Sequence, residues 1–396
     1  MYGPRATQVA RTLDALVSHE WQSTVVCLDP RRGGPNWRDG DEVHTRRGVE
    51  LARVKSPEEW TTVRALWRLV PSLRDRPDSK WVWIGRASNA ATSSASQTRF
   101  DGIVTFAQPW SDHLVGLNVH RATRLPWVAH FSDPWIDSPY WRGSRRRHDA
   151  AARMEADVVR TATHLVFVTE EAADLVMRKY PRELRAKVSV VPHGYDPTTP
   201  KKSSSERTGG PLRLVYTGRF YEGLRTPGTL LRALATLSRE EPIALEVMFV
   251  GPFVTSFERE ARALGVESFV RFRDKVPAID AQAIAAAADA LLVIDAPSAA
   301  PSPFLPSKLV DYLALRKPIV GITPVAGASG SLLRRIGGFI ASPDDEAAIR
   351  VVLRDVLSRW KEGRLDVGAD FDRVAAEYDI RRTAATFSGV LTRAFA

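Results

Sequence analysis

Short apolar runs alternate with amphipathic helical stretches along this 396-residue chain, and the alternation is broken once. STVVCL, WVWIG, GIVTFA, WVAHF, HLVFV and VSVV are rich in β-branched or aromatic residues and read as strands. Helical patterns such as ATQVARTLDALVSHE, SDHLVGLNVHRAT and HDAAARMEADVVRTA lie between several of them. Strand, helix, strand in that order predicts a parallel sheet covered on both faces. Asp196 to Pro211 (DPTTPKKSSSERTGGP) is too polar to bury a core and reads as a linker. The alternation then restarts at LRLVYTG and runs through ALEVMFVG, FVRFRD, ALLVID and PIVGIT, with helical stretches between. FDRVAAEYDIRRTAATFSGVLTRAF closes the chain as one or two helices. The expected fold class is α/β, with two Rossmann-like parallel-sheet domains facing a ligand cleft. Residues 1–196 form the first domain, 197–211 the linker and 212–368 the second domain. Residues 369–396 are C-terminal helices that return toward the first.

Composition narrows the function classes. Apolar residues make up 44%, enough for real cores. The longest apolar run, AIAAAADALLVI, is cut by Asp289 and is too short to span a bilayer. The N-terminus carries charges throughout, unlike a secretory signal. A single cysteine, Cys27, excludes an internal disulfide and any CxxC site. The cytoplasm is the default compartment. Fifty-six Lys and Arg against 46 Asp and Glu give +10, which suits phosphorylated substrates, anionic lipid or nucleic acid. The excess is spread along the chain, without zinc-finger spacing or an aromatic RNA-binding signature, so no nucleic-acid partner is expected. The one dense basic run, Arg142 to Arg147 (RGSRRR), reads as a solvated loop. Its alternative is contact with an anionic membrane face.

Two motifs point to an anion. In FLPSKLVDYLALRKPIVG, Ser307 is the expected N-cap of a helix whose first amides lack internal partners. Such a helix start binds phosphate. Lys308 in the first turn opposes the helix dipole unless an anion is bound or its side chain reaches water. Asp311 lies one position too deep for a capping box, and a carboxylate there suits vicinal ribose hydroxyls. A plain solvated helix face explains the same residues. In VYTGRFYEGLRTPGTLL, a strand ends at Gly218, and Arg219 and Arg225 flank the turn that follows. Paired arginines at the carboxyl end of a parallel strand suit a pyrophosphate, although loop arginines are commonly just solvated.

A third motif, PWVAHFSDPWIDSPYW, carries His130, Ser132 and Asp133 from a strand into a loop. It is either a site loop or a core histidine followed by a turn. Asp39-Gly40-Asp41 has DxD spacing but lies in a turn-rich segment and reads as a turn. No HxxxH or HExxH spacing occurs, so no metal site is expected. Glu155, inside a helical pattern, reads as solvated or structural.

The order of these motifs resembles the GT-B glycosyltransferases of family 4, the glycosyl transferases of group 1. Gly218-Arg219, with Arg225 six positions after Arg219, matches the family's diphosphate-binding turn. Ser307 and Lys308 fall at the helix start that holds the diphosphate, and Asp311 at the carboxylate that grips the ribose. VVPHGYDP, Val190 to Pro197, and the FVG before Pro252 also resemble family segments. The resemblance implies a metal-independent, retaining hexosyltransferase. It would need no cofactor and would use a nucleoside-diphosphate sugar as co-substrate. The acceptor would be a saccharide, a lipid-linked sugar or a small molecule. It implies Gly218, Arg219, Arg225, Ser307, Lys308 and Asp311 as donor-binding residues, and His130 and Asp133 as catalytic residues that orient the sugar. Peripheral association at the inner membrane face goes with a lipid-linked acceptor.

The chain departs from the family at three points. Pro303 stands where many members carry the first of two glutamates, and Asp311 is one methylene shorter than the second. The family's opening strand and glycine loop are reduced to Tyr2-Gly3-Pro4, for which a misplaced start codon is the preferred explanation. The alternatives are a non-catalytic homologue acting as a binding or scaffold subunit, or a sugar-nucleotide epimerase on the same fold.

Overall fold

A computed structural model describes residues 4–29, 48–70, 76–198, 210–252 and 255–396. Tyr2-Gly3, the Asp39-Gly40-Asp41 turn and all but the ends of the linker lie outside the described residues. The chain divides into two compact units, Met1–Gly194 with Ile380–Ala396, and Tyr195–Asp379.

The first unit contains α1 (Pro4–Leu16), β1 (Ser23–Leu28), β2 (Val49–Val54), α2 (Thr61–Leu69), α3 (Ile84–Gln97), β3 (Ile103–Ala107), α4 (Ser111–Thr123), β4 (Trp127–Phe131), α5 (Arg145–Thr161), β5 (His164–Phe167), α6 (Glu170–Met177) and β6 (Val188–Val190). Strands β3-β4-β5-β6 form one parallel sheet, and β1 pairs with β2 in parallel. Every residue of β4 is buried, which explains why WVAHF shows no polar alternation.

The second unit contains β7 (Leu212–Thr217), α7 (Gly228–Glu240), β8 (Leu245–Val250), α8 (Thr255–Ala263), β9 (Val270–Arg273), α9 (Ala278–Ala286), β10 (Ala290–Ile294), α10 (Ser307–Leu313), β11 (Ile319–Ile322), α11 (Ala328–Arg335), β12 (Phe339–Ala341), α12 (Glu346–Lys361) and α13 (Phe371–Ala375). The last helix, α14 (Ile380–Phe395), belongs to the first unit. The C-terminal segment is therefore divided. Phe371 and Val374 of α13 sit in a core cluster of the second unit, whereas Phe387 and Val390 of α14 pack with Val128 and Val166 in the first.

The six strands of the second unit are parallel, in the order β12-β11-β10-β7-β8-β9. Alternate residues of β10 serve opposite cores: Leu292 and Ile294 one, Leu291 and Val293 the other. The strand order reverses between β7 and β10. In an open parallel sheet, that reversal opens a crevice at the carboxyl ends of the two strands.

Two local expectations fail. WVWIG is not a strand: Trp81–Trp83 form a short 3-10 turn that leads into α3 at Ile84. Trp83, Ala87 and Ala91, at helical spacing, pack against Val115 and Val119 of α4. A short apolar run cannot by itself separate strand from helix, and here the Ala- and Ser-rich continuation decides. The RGSRRR run is only half a loop, since α5 begins at Arg145. Ser144 caps α5 by accepting from the Arg147 amide at 3.4 Å, and Arg145 to Arg147 form its first turn.

Unit one has a tight polar nucleus at the β3–α4 contact. The Trp127 indole donates to Thr105 Oγ1 at 2.9 Å, and that hydroxyl meets His113 Nδ1 at 2.8 Å. Gly116 leaves room for it, because a Cβ there would lie 2.4 Å from Thr105 Cγ2 and 2.7 Å from Trp127 Nε1. Gly116→Ala gains about 1 kcal/mol of helix propensity. Overpacking costs about 1–3 kcal/mol, and displacing a buried hydrogen bond costs roughly 1 more. The expected net loss is ~1–3 kcal/mol, measured by urea unfolding. A variant at least as stable as wild type would contradict this packing.

Burial pushes the fully covered His113 imidazole down to about 3, helped by the positive charge of Arg5. The ring is neutral in the folded chain, while in the unfolded chain it protonates near pH 6.5. A depressed folded value contributes stability above pH 6.5 that is lost as pH falls below it. Urea unfolding at pH 7, 6 and 5 is expected to show a decline of up to ~1.4 kcal/mol per pH unit from this ring. The decline should be shallower in His113→Leu.

Candidate functional site

In the second unit, the loops that follow β7 and β10 carry charged residues at the crevice of the strand reversal. β7 ends at Thr217, and the Gly218 amide donates to Val250 O at 2.8 Å. Gly218 has φ +131°, a region that favours glycine. A Cβ at this position would also fall 2.6 Å from Lys308 Nζ, so the glycine makes space for the lysine head.

Beyond Gly218 the chain folds into a tight loop. Tyr221 and Arg225 exchange backbone hydrogen bonds at 2.9 and 2.8 Å. Arg225 Nη2 donates to Arg219 O at 3.0 Å, and the guanidinium lies 4.9 Å over the Tyr221 ring. The Tyr216 hydroxyl donates to the same Arg219 carbonyl at 3.1 Å. The Arg225 side chain is thus held in place by its own loop. Arg219 contributes its carbonyl to this arrangement and sits at an exposed position.

Lys308 occupies the first turn of α10. Pro306, not Ser307, is the capping residue, and it makes no side-chain cap hydrogen bond. Ser307 is the first helical residue: Pro306 has ψ 134°, outside the helical range, and supplies the carbonyl that accepts from Leu309 N at 2.9 Å. The lysine does not snorkel into water. Its Nζ lies 3.7 Å from the centre of the Tyr216 ring, covered, with no hydrogen-bond partner among the described residues. Burial drives the ammonium well below the ordinary lysine range, and the like charge of Arg225 lowers it further. Asp295 partly offsets both effects.

Asp295, directly after β10, links these parts. Its Oδ1 lies 3.7 Å from Arg225 Nη1, and its Oδ2 accepts from Thr323 Oγ1 at 2.9 Å. Ser329 Oγ lies 3.1 Å from that Oδ2 and 3.0 Å from Phe304 O, its one proton serving one of them. Burial raises the Asp295 carboxyl, and the Arg225 guanidinium opposes that rise. Sequence reasoning missed Asp295 and Tyr216. The available signal was a wholly apolar strand, ALLVI, ending in a carboxylate at a carboxyl edge. Asp311 lies farther along α10, half-buried, where its charge adds to the burial that lifts the Tyr312 phenol to about 12. Tyr312 in turn hydrogen-bonds the Thr217 amide at 3.0 Å and ties α10 to the end of β7.

The first unit gathers a second polar cluster. His130, in β4, is 6% exposed. Its Nδ1 lies 3.1 Å from Arg5 Nη2, so its side-chain partner is a guanidinium. Ser132 Oγ donates to Ala107 O at 2.8 Å. Asp133 is half-buried, accepts from Gln108 Nε2 at 3.2 Å, and is raised by burial against the pull of Arg5. Arg5 itself, held down to about 10 by burial, was absent from the sequence-level set. Helical periodicity alone gives no sign that the first turn of α1 meets the end of β4. Glu155 proves structural: it is fully buried, accepts from the Ile136 amide at 3.1 Å and from the Tyr180 hydroxyl at 2.8 Å, and so anchors the loop after Asp133.

Among the described residues no cluster of His, Cys, Asp and Glu could hold a metal ion, and no helix is long and apolar enough to cross a membrane.

Comparison with known proteins identifies the family. Residues 5–194 match a glycosyl transferase 4-like domain, and residues 211–359 match the glycosyl transferases of group 1. No curated protein sequence matches the chain. Among solved structures, HepE of Anabaena in complex with UDP-glucose superimposes with a TM-score of 0.67 at 16% identity, covering 99% of this chain and 97% of that one. Sucrose-phosphate synthase from Thermosynechococcus elongatus gives 0.70 at 15% identity, covering 99% and 93%. WaaG, a glycosyltransferase involved in lipopolysaccharide biosynthesis, gives 0.63 at 16% identity, covering 99% and 97%. With both halves matched in the order in which the motifs occur, the chain belongs to the GT-B glycosyltransferases of the group 1 family.

Proposed function

We propose that this glycosyltransferase moves a hexosyl group from a nucleoside-diphosphate sugar to a saccharide, lipid-linked or small-molecule acceptor, with retention of configuration and without a metal ion. The carrying observation is Lys308, whose Nζ is covered beside Gly218 and has no hydrogen-bond partner among the described residues, with Asp295 facing both Arg225 and Lys308. Burial and Arg225 oppose the Lys308 charge and Asp295 favours it, so an arriving diphosphate would supply the negative charge that keeps both groups cationic.

The roles follow from charge and reach. Gly218 and the amides at the start of α10 admit the diphosphate closely. Arg225, Lys308 and the exposed Arg219 stabilise negative charge as it grows on the leaving diphosphate, a task for which one placed donor is worth about 3–4 kcal/mol. They would take the part that a metal ion plays in other transferases. Asp295 holds Arg225 in place without contacting the ligand. Asp311 accepts hydrogen bonds from the ribose, and His130 and Asp133 orient the transferred sugar. The exposed Arg142, Arg145 and Arg146 favour peripheral contact with an anionic membrane and hence a lipid-linked acceptor. The HepE complex contains UDP-glucose, so a UDP-sugar is the first donor to test.

Thermal-shift titration with UDP, GDP and ADP tests the reading. One of the three should stabilise the protein, since a ligand at 100 times its Kd adds about 2.7 kcal/mol. Lys308→Met and Arg225→Ala should each weaken that ligand by roughly 10- to 100-fold, the loss of one hydrogen bond to a charged partner. If no diphosphate shifts the midpoint, or both variants bind as wild type does, the donor site lies elsewhere. For Asp311→Asn the expected loss is smaller, roughly 5-fold, as for a hydrogen bond of about 1 kcal/mol. An unchanged calorimetric Kd for the nucleoside diphosphate would remove Asp311 from the ribose.

A further inference from the structure

The first unit holds a feature that sugar transfer does not by itself require, namely a guanidinium used as the partner of a buried imidazole. Arginine has only N–H groups to offer and is never an acceptor. The 3.1 Å contact between Arg5 Nη2 and His130 Nδ1 therefore requires a lone pair on Nδ1. A neutral imidazole carries one proton, so that proton sits on Nε2.

A hydrogen bond with the ring's own backbone favours a proton on it, and the Arg5 donor at 3.1 Å opposes that proton at Nδ1. The ring faces Phe106 of β3 at 5.1 Å and Phe387 of α14 at 5.9 Å between centroids. It stacks on the His193 imidazole at 6.2 Å. The charged and titratable groups that act on it are Arg5 from α1, His193 from the segment after β6, and His113 from α4. All three oppose a positive charge on the ring, and burial opposes it most. Arg5 is fixed in turn. Its guanidinium lies 5.7 Å over the Phe106 ring, and the carboxylates of Asp133 and Asp112 favour its charge.

We propose that Arg5 is a positioning residue that locks His130 in the tautomer bearing its proton on Nε2, so that this histidine serves a bound sugar as a hydrogen-bond donor and never as a proton-transfer group. The service to a sugar rests on the function proposed above, whereas the lock itself does not. A histidine held this way cannot take a proton from an acceptor hydroxyl at neutral pH, because its only free nitrogen is occupied by a cation. Acceptor deprotonation must then fall to another group, such as Asp133 or an oxygen of the departing diphosphate.

The lock can be read without any substrate. In the full chain labelled with 15N-histidine, two-bond 1H–15N correlation spectra report which imidazole nitrogen carries the proton. Loss of one signal set in His130→Gln assigns the ring. The expected wild-type result is an unprotonated Nδ1, a protonated Nε2, and no titration of this ring through the ordinary histidine range. In Arg5→Met the two tautomers should mix, and titration should move up toward that range. Arg5→Lys keeps a donor without an acceptor, so an Nε2-protonated ring there would support the same lock. A wild-type ring protonated on Nδ1 overturns the proposal before any variant is made. So does an Arg5→Met protein whose far-ultraviolet spectrum is native and whose His130 nitrogens resonate as in wild type. If the lock is found and no nucleoside diphosphate binds, the sugar-transfer reading fails while the tautomer assignment stands.

Discussion

A lysine ammonium placed over a tyrosine ring, out of water and without a hydrogen-bond partner among the described residues, is the interaction on which the second unit turns. The ring face offers part of what water would give, on the order of 2 kcal/mol when the pair is desolvated. That does not cover the cost of burying a charge, which reaches several kcal/mol. The shortfall explains the neighbourhood. Gly218 has no side chain, because the lysine head fills the volume where a Cβ would sit. Asp295 is present because Arg225 and Lys308 need at least one negative neighbour, and Thr323 and Ser329 direct hydroxyls at its second oxygen. The arrangement is short of negative charge, which is the shortfall that the proposed diphosphate would fill.

The sheet decides where this can happen. With strands ordered β12-β11-β10-β7-β8-β9, the loops after β7 and β10 leave the same edge and diverge from each other. Gly218 follows β7, Asp295 follows β10, and α10 follows the β10 loop, so three separate stretches of sequence meet at one crevice. The site is therefore a product of topology first and side-chain chemistry second. Tyr312 reinforces it by hydrogen-bonding the last residue of β7, which sets the start of α10 against the strand end.

This division also explains what the amino-acid sequence made legible. The β-branched runs and helical periods were enough to read two parallel-sheet units, because fully buried strands such as ALLVI and WVAHF have no polar alternation to confuse. Gly218, Arg225 and Lys308 were legible as a spacing of motifs. Asp295 was not, because a carboxylate after an apolar strand is equally at home in a turn, and only the folded sheet brings it within 3.7 Å of Arg225. Trp81 to Trp83 were misread because a three-residue apolar run carries no period. VELARV, which pairs with STVVCL, was overlooked since only its first residue is fully buried. Arg5 was invisible for a different reason, since its partner lies 125 residues away and no local pattern encodes that contact.

The two units use arginine in opposite ways, and the contrast bears on chemistry. Arg225 is tethered by its own loop and turned toward a carboxylate, with its charge available to an incoming anion. Arg5 spends its contact on a ring nitrogen 3.1 Å away, and in the proposed lock it removes a base instead of adding a charge. An enzyme that breaks a bond to a good leaving group benefits from both devices. The first lowers the cost of the departing charge, and the second keeps a histidine from drawing protons off water and turning transfer into hydrolysis. In the proposed reading, holding the His130 imidazole back from proton transfer serves the same end as charge stabilisation by Arg225, because restraint toward water matters wherever the acceptor must outcompete it.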